Sequence, residues 1–267
     1  MPDALYIGAT GMQAQQMNVD TIANNLANVN TTAFKKGRIS FTDLMVLEST
    51  RIGSGAGKVD GAQDADGPQP VMMGNGVGIA TSSKVFDSGT TTATGSAWDV
   101  AIQGDGFFKV TLADGSTAYT RGGTLKVNTD GQLATQSGLV LQPAISVPAN
   151  VSSLAISSDG VITVTAANQT KPTQLAQLQI TRFTNPTALQ AQGDGVYVAN
   201  DAAGDPTTAI PGQDGLGSLQ QGYLEGSNVQ MVDEMVNLIV AQRAYEASSK
   251  IVQASDEMMQ MVNNLRR

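Results

Sequence analysis

A chain of 267 residues is long enough for one to three domains. Its formal charge of −8 argues against nucleic acid or an anionic membrane surface as the main partner, and with no Cys and no His it excludes disulfides, thiolate or imidazole metal sites and any Cys- or His-based mechanism. Charged residues make up only 14% and aromatics 4% against 29 glycines, a balance that suits short strands joined by Gly turns better than a catalytic globule.

Residues 3–32 are predicted to form an amphipathic helix that tolerates Gly8 and Gly11 near its start. Leu5, Met12, Val19 and Leu26 recur every seven residues, and Ile22 and Val29 each follow a member of that column by three. Asn18, Asn24, Asn25, Asn28 and Asn30 crowd the polar side, although Asn is a mediocre helix former. Two readings stand: a solvated face, or hydrogen bonding to neighbouring polar surfaces. The opening Met1-Pro2-Asp3-Ala4-Leu5 lacks the basic start of a cleaved leader, so export, if any, is expected to leave it intact.

Thr31, Thr32 and Ala33 break the repeat, and Phe34 with Lys35, Lys36 and Arg38 begins an extended segment. Residues 34–96 are expected to be an extended or irregular connecting region, with a Gly-, Ser-, Asp- and Pro-rich loop over residues 49–78 and weak strand character over residues 77–85. A β domain is predicted for residues 97–200. Phe108, Val110 and Leu112 alternate with polar positions before Asp114-Gly115, and similar pairs at Asp130-Gly131 and Asp159-Gly160 punctuate short apolar stretches. A longer run covers residues 175–183, and Val196-Tyr197-Val198 completes the pattern. With no helical crossover, this points to an antiparallel β-sandwich or barrel-like domain.

Residues 201–227 are again rich in Gly, Asp and Pro and read as a connecting segment. The tail, residues 228–267, holds neither Gly nor Pro. Met231, Leu238, Tyr245, Val252 and Met259 recur every seven residues, with Ala244, Ile251, Met258 and Leu265 one position behind. At 1.5 Å per residue such a helix is a rod about 55 Å long. Ser227 and Asn228 suit its N-cap, Asp233 and Glu234 its first turns, and Arg266 and Arg267 the opposite end of its dipole. The two ends carry matching heptad faces. The fold class is therefore mainly β with long terminal helices, a discontinuous helical, coiled-coil domain (residues 1–33 and 228–267) enclosing the β domain.

Sites for chemistry are weak. Gly53-Ser54-Gly55-Ala56-Gly57-Lys58 lacks phosphate-loop spacing, and Gly104-Asp105-Gly106 suits a tight turn between strands. Asp64-Ala65-Asp66-Gly67 begins like a calcium loop without the later bidentate Glu. The methionines of the tail fall at helical spacing, as core or interface residues do. No catalytic, cofactor or metal site is expected.

The stretch from Ile22-Ala23-Asn24-Asn25-Leu26-Ala27-Asn28-Val29-Asn30-Thr31 through Phe34-Lys35 resembles the N-terminal motif of the bacterial flagellar basal-body rod and hook proteins, in which a Gly usually stands where this chain has Ala33. Glu234-Met235-Val236, Gln242-Arg243-Ala244-Tyr245-Glu246 and Lys250 resemble the matching C-terminal signature. Between them, Asp99-Val100-Ala101-Ile102, Gly104-Asp105-Gly106-Phe107-Phe108 and Tyr119-Thr120-Arg121 agree in order. Within the family, the length, Gln142-Pro143-Ala144-Ile145 and Gln221-Gly222-Tyr223-Leu224-Glu225 favour a distal rod member over proximal rod or hook members, with residues 46–65 as the additional segment that distal members carry.

The resemblance implies a non-enzymatic structural subunit of a helical homopolymer, with terminal helices inside and the β domain outside. It further implies a tube that spans the periplasm, carries motor torque and conducts exported subunits. Expected partners are other rod subunits, hook or hook-junction subunits, the P- and L-ring proteins and the flagellar export apparatus, with neither nucleic acid nor membrane insertion. The expected assembly interface combines Leu5, Met12, Val19, Ile22, Asn24, Asn25, Leu26, Asn28, Val29 and Phe34 with Met231, Met235, Leu238, Gln242, Arg243, Tyr245, Val252 and Met259. Two apolar seams cannot repay the entropy of ordering such long helices in one molecule, so both ends are expected to fold on assembly. A secreted wall hydrolase would need converging carboxylates in a cleft, and an adhesin with a coiled-coil stalk would form a small fixed oligomer.

Overall fold

The computed structural model describes residues 2–48, 71–148, 151–166 and 171–265. The phosphate-loop-like and calcium-loop-like stretches, residues 49–65 of the additional segment, and Arg266 and Arg267 lie outside the described residues. Two compact units emerge, one of Met1–Ala23, Ile39–Ser82 and Met235–Arg267, the other of Asn24–Arg38 and Ser83–Glu234.

The first unit holds most of two helices, α1 (Pro2–Ala27) and α2 (Met231–Leu265), and of two long strands, β1 (Gly37–Glu48) and β2 (Val71–Lys84), paired in a two-stranded sheet. The second strand begins well before the stretch at residues 77–85 that carried strand character in the sequence. Helix α1 meets α2 through its glycines. A Cβ on Gly8 would stand 2.6 Å from Cγ2 of Val252, and one on Gly11 3.3 Å from Oγ of Ser248. The glycines that looked merely tolerated are what permits this approach. On α2 the covered positions are Glu234, Ala241 and Ser255, buried, and Leu238, Ala244, Ser248, Ser249 and Val252, half-buried. Small residues therefore dominate the covered stripe, while most large apolar side chains of α2 face outward, among them Met235, Val236, Ile239 and Val240.

Both helix ends differ from expectation. Helix α1 stops at Ala27 rather than continuing to residue 32. There the Asn28 N–H is shared between the carbonyls of Asn24 and Asn25, and the Asn28 side chain donates to the Asn24 carbonyl at 2.9 Å, the local competition that makes Asn a poor interior helix residue. Helix α2 starts at Met231, and the first bond that closes it runs from Glu234 N–H to the Gln230 carbonyl at 3.0 Å. Asn228 does not cap it, because its side chain is engaged elsewhere.

In the second unit Phe107–Thr111 and Thr117–Thr120 form the hairpin expected around Asp114-Gly115, with Phe108 opposite Thr120 and Val110 opposite Ala118. Asp130-Gly131 and Asp159-Gly160 likewise turn between paired strands. Nine strands share one sheet whose outer members, Gln190–Gly193 and Leu125–Val127, do not pair with each other, so the sheet is open and the barrel alternative fails. A three-stranded meander, Val151–Ile156, Val161–Ala166 and Thr173–Gln177, adds a separate sheet. The apolar run at residues 175–183 is divided between sheets. Thr173–Gln177 pairs in the meander, the fully buried Leu178 donates its N–H to the Gly160 carbonyl, and Ile180–Arg182 pairs with Phe107–Thr111. The main core gathers Val100, Phe108, Val110, Leu133, Leu141, Ile162 and Ile180, while a second cluster packs Phe86, Phe107, Tyr119, Phe183 and Tyr197 edge to face. That geometry favours aromatic pairs beyond the area they bury.

The segment before α2 is itself part of this framework. Ser218–Gln221 pairs antiparallel with Val100–Gln103, and Tyr223–Glu225 pairs with Thr91–Ala93. The Gln221 side chain donates to the carbonyls of Ala97 (2.7 Å) and Leu154 (2.9 Å) and accepts from Ile156 N–H at 2.9 Å.

Candidate functional site

The second unit contains a buried ion cluster built from three of the motif segments. Lys35 follows the Asn-rich motif, Arg121 ends Tyr119-Thr120-Arg121, and Glu225 ends Gly222-Tyr223-Leu224-Glu225. Glu225 Oε1 accepts from Lys35 Nζ at 2.8 Å and from Gly89 N–H at 3.0 Å, while Oε2 accepts from Arg121 Nε at 2.8 Å. Lys35 Nζ also donates to the Asp87 carbonyl at 2.6 Å, and the Arg121 guanidinium donates to the carbonyls of Gly104 (2.9 Å) and Gly106 (3.2 Å). All three side chains are at most 3% exposed.

Burial alone pushes the Glu225 carboxyl up, but the charges and hydrogen bonds of Arg121 and Lys35 outweigh it and hold the group below the ordinary carboxylate range. Burial pulls the Lys35 ammonium below the usual lysine range, and repulsion from Arg121 adds to this while Glu225 opposes it. One carboxylate thus serves two cations, and every partner is needed. Loss of one member of such a cluster leaves an uncompensated buried charge.

A short ladder runs beside the cluster. Ala33 N–H donates to the Glu225 carbonyl at 2.8 Å, Asn228 N–H to the Phe34 carbonyl at 3.3 Å, and Lys36 N–H to Asn228 Oδ1 at 2.8 Å. Asn228 Nδ2 completes it by donating to the Val85 carbonyl at 2.8 Å. Asn25, buried, exchanges two hydrogen bonds with Gly37, its Nδ2 donating to the carbonyl (2.9 Å) and its Oδ1 accepting from the N–H (2.8 Å). The two readings of the Asn run are therefore both realised: Asn25 is a structural bond, Asn28 is half-buried and closes its own helix, and Asn24 is exposed. Ala33 adopts φ 56°, left-handed backbone that explains why a glycine suits this position.

A groove of about 640 Å³ lies in the same unit, bordered by Asn24, Asn28, Phe34, Lys84, Gln136 and Tyr197. The Lys84 ammonium stands 4.6 Å from the centre of the Phe34 ring, and burial lowers its pKa. Burial likewise pushes the Tyr197 phenol up to about 12, so that wall stays neutral.

The remaining expected interface residues are distributed as follows. Leu5, Met12, Val19, Leu26 and Val29 are half-buried and Ile22 is buried. On α2, Leu238 and Val252 turn toward the covered stripe, whereas Met231, Met235, Gln242, Arg243, Tyr245 and Met259 are exposed. Arg243 pairs with Glu246 at 2.9 Å on an open surface, a contact of little energetic weight. Sequence reasoning missed Lys35, Arg121 and Glu225 as a cluster. The available signal was their place inside three motif segments of a chain poor in charge.

No described helix is long and apolar enough to cross a membrane. Residues 5–35 match the family described as flagella basal body rod protein, residues 101–164 the flagellar hook protein FlgE/F/G D1 domain, and residues 220–265 the flagellar basal body rod FlgEFG protein C-terminal region. The chain is 43% identical to the flagellar basal-body rod protein FlgG of Borreliella burgdorferi across 100% of both chains. It is 41% identical to FlgG of Caulobacter vibrioides, over 98% of this chain and 99% of that one. It is also 32% identical to the rod protein FlgF of Caulobacter vibrioides, over 97% of this chain and 95% of the relative.

Proposed function

The chain belongs to the flagellar basal-body rod proteins, a family of structural subunits rather than enzymes, and on that premise we propose that it builds the distal rod by polymerising into a helical tube. The higher identity to the FlgG relatives than to FlgF favours the distal over the proximal rod. In this reading the terminal helices pair as a coiled coil and line the tube, which carries exported subunits through its centre and motor torque along its length. The P and L rings surround it, neighbouring rod and hook or hook-junction subunits cap its ends, and the export apparatus delivers the chain without cleaving a leader.

The observation that carries this reading is the uncovered apolar face of α2, which no soluble monomer gains from exposing. Met231, Met235, Tyr245 and Met259 present to a neighbour what the small-residue stripe does not use within the chain. Tyr245→Asp and Met235→Asp are expected to keep the strand-rich circular dichroism of the wild type while forming no tubes visible by electron microscopy. Tubes formed by either variant at wild-type concentrations overturn the reading.

A further inference from the structure

Among the described residues every ion pair involves Lys35, Arg121 or Arg243, and Lys84 makes none although it is half-buried and drawn over the Phe34 ring. The groove it borders is lined by neutral polar groups, Asn24, Asn28, Thr31 and Gln136 among them, and by apolar ones such as Phe34 and Val196, with Asp194 as the other charged lining residue. A volume near 640 Å³ is in the range of sites that enclose a small ligand or a few side chains. Amides and hydroxyls around a single ammonium make a receptor for a carboxylate presented on a peptide.

We propose that this groove is the receiving half of a subunit contact and takes a carboxylate-bearing segment of a second copy of the chain. The inference rests on the polymer reading above. The chain itself argues for that occupant: with 23 Asp and Glu against 15 Lys and Arg, each copy brings a surplus of carboxylates and few cations to meet them. A partly desolvated lysine left open to an acidic neighbour supplies a directional, charge-assisted bond beside the apolar contacts of α2.

Three proteins test this: wild type, Lys84→Met, which keeps the stem over Phe34 and removes the charge, and Lys84→Arg, which keeps the charge. The Met variant is expected to need about tenfold more protein to polymerise, with weakened dependence on salt, and the Arg variant to stay near wild type. Circular dichroism of the monomers checks that all three fold. Because the chain has no Cys, Gln136→Cys carries a single photo-crosslinker. In tubes it is expected to capture an Asp- or Glu-containing peptide of another copy, identified by mixing isotopically labelled and unlabelled chains. Tubes in which Lys84→Met polymerises like wild type and the crosslinks stay within one copy overturn the groove contact alone. Failure of the wild type to polymerise under any condition overturns the polymer reading and the groove contact with it.

Discussion

Lys35 and Glu225 stand 190 positions apart in the chain and 2.8 Å apart in the fold, sealed from solvent with Arg121 on the other carboxylate oxygen. The contact fastens the segment after α1 to the strand that precedes α2. Two stretches of the second unit that are remote in sequence are thereby tied to one another.

Glu225→Gln is expected to destabilise the second unit by about 3–5 kcal/mol, because Lys35 and Arg121 remain buried without their counter-charge. The pH dependence has a definite sign. The folded-state pKa of Glu225 is depressed, so its contribution is complete above the ordinary carboxylate value and is lost as pH falls through the lower folded value. Urea denaturation across that acidic window is expected to show a shallower fall in stability for Glu225→Gln than for the wild type. An equally steep fall in both would mean that the carboxylate is not the group being protonated.

Ala33→Gly is expected to stabilise the chain by about 1 kcal/mol, since Ala33 holds φ 56° and a glycine adopts that conformation without a Cβ penalty. Glycine's larger unfolded-state entropy subtracts from the gain without reversing it. Thermal melts check the sign, and a lower Tm for Ala33→Gly would contradict it.

The position of Ala33 also shows where sequence reasoning reached and where it stopped. Features coded within a few residues were legible: both long helices, the Asp-Gly hairpins, and the departure from the family's glycine. Pairings across great distance were not. Nothing local in Ser218–Gln221 announces that it lies against Val100–Gln103, and the segment read as a connection carries three strands, each paired with a strand from elsewhere in the chain. Asn228 was misread for the same reason, because a good N-cap residue is equally good at bonding backbone groups of Lys36 and Val85 that arrive from far upstream. The heptads identified the helices, and the stripe covered within the chain combines Leu238 and Val252 of that repeat with the small residues Ala241, Ser248 and Ser255. Small side chains beside the repeat, on both helices, are what let that face approach α1 so closely.

Gly8→Val tests that close approach. A β-branched side chain at this point meets Val252, itself β-branched and held to few rotamers in a helix, so neither yields easily. The clash is expected to cost about 1–3 kcal/mol of helix packing, more than valine's better helix propensity than glycine returns. The double variant Gly8→Val with Val252→Ala is expected to recover most of the loss in polymerisation. Equal defects in the single and double variants would place the cause elsewhere than this contact.

The last expectation concerns the lone subunit. Ordering α2 costs at least about 1 kcal/mol per residue of backbone entropy, and helix hydrogen bonds return little in net terms. What must offset this cost in a single chain is burial, and a covered stripe of small residues, Ala241, Ser248 and Ser255, with only part of Leu238 and Val252 removes little apolar area from water. Other large side chains of α2 that would contribute, among them Met235, Ile239, Ile251 and Met261, are exposed in the single chain. Amide protons of residues 235–262 in dilute monomer are therefore expected to exchange far faster than those of Val110 or Leu133 in the β core, and to become protected in the tube. Because the gain comes from a second molecule, protection of α2 should rise with concentration while that of Val110 stays constant. Protection of α2 equal to that of the strand core at the lowest concentration would show that the helix is stable alone, and folding on assembly would have to be abandoned.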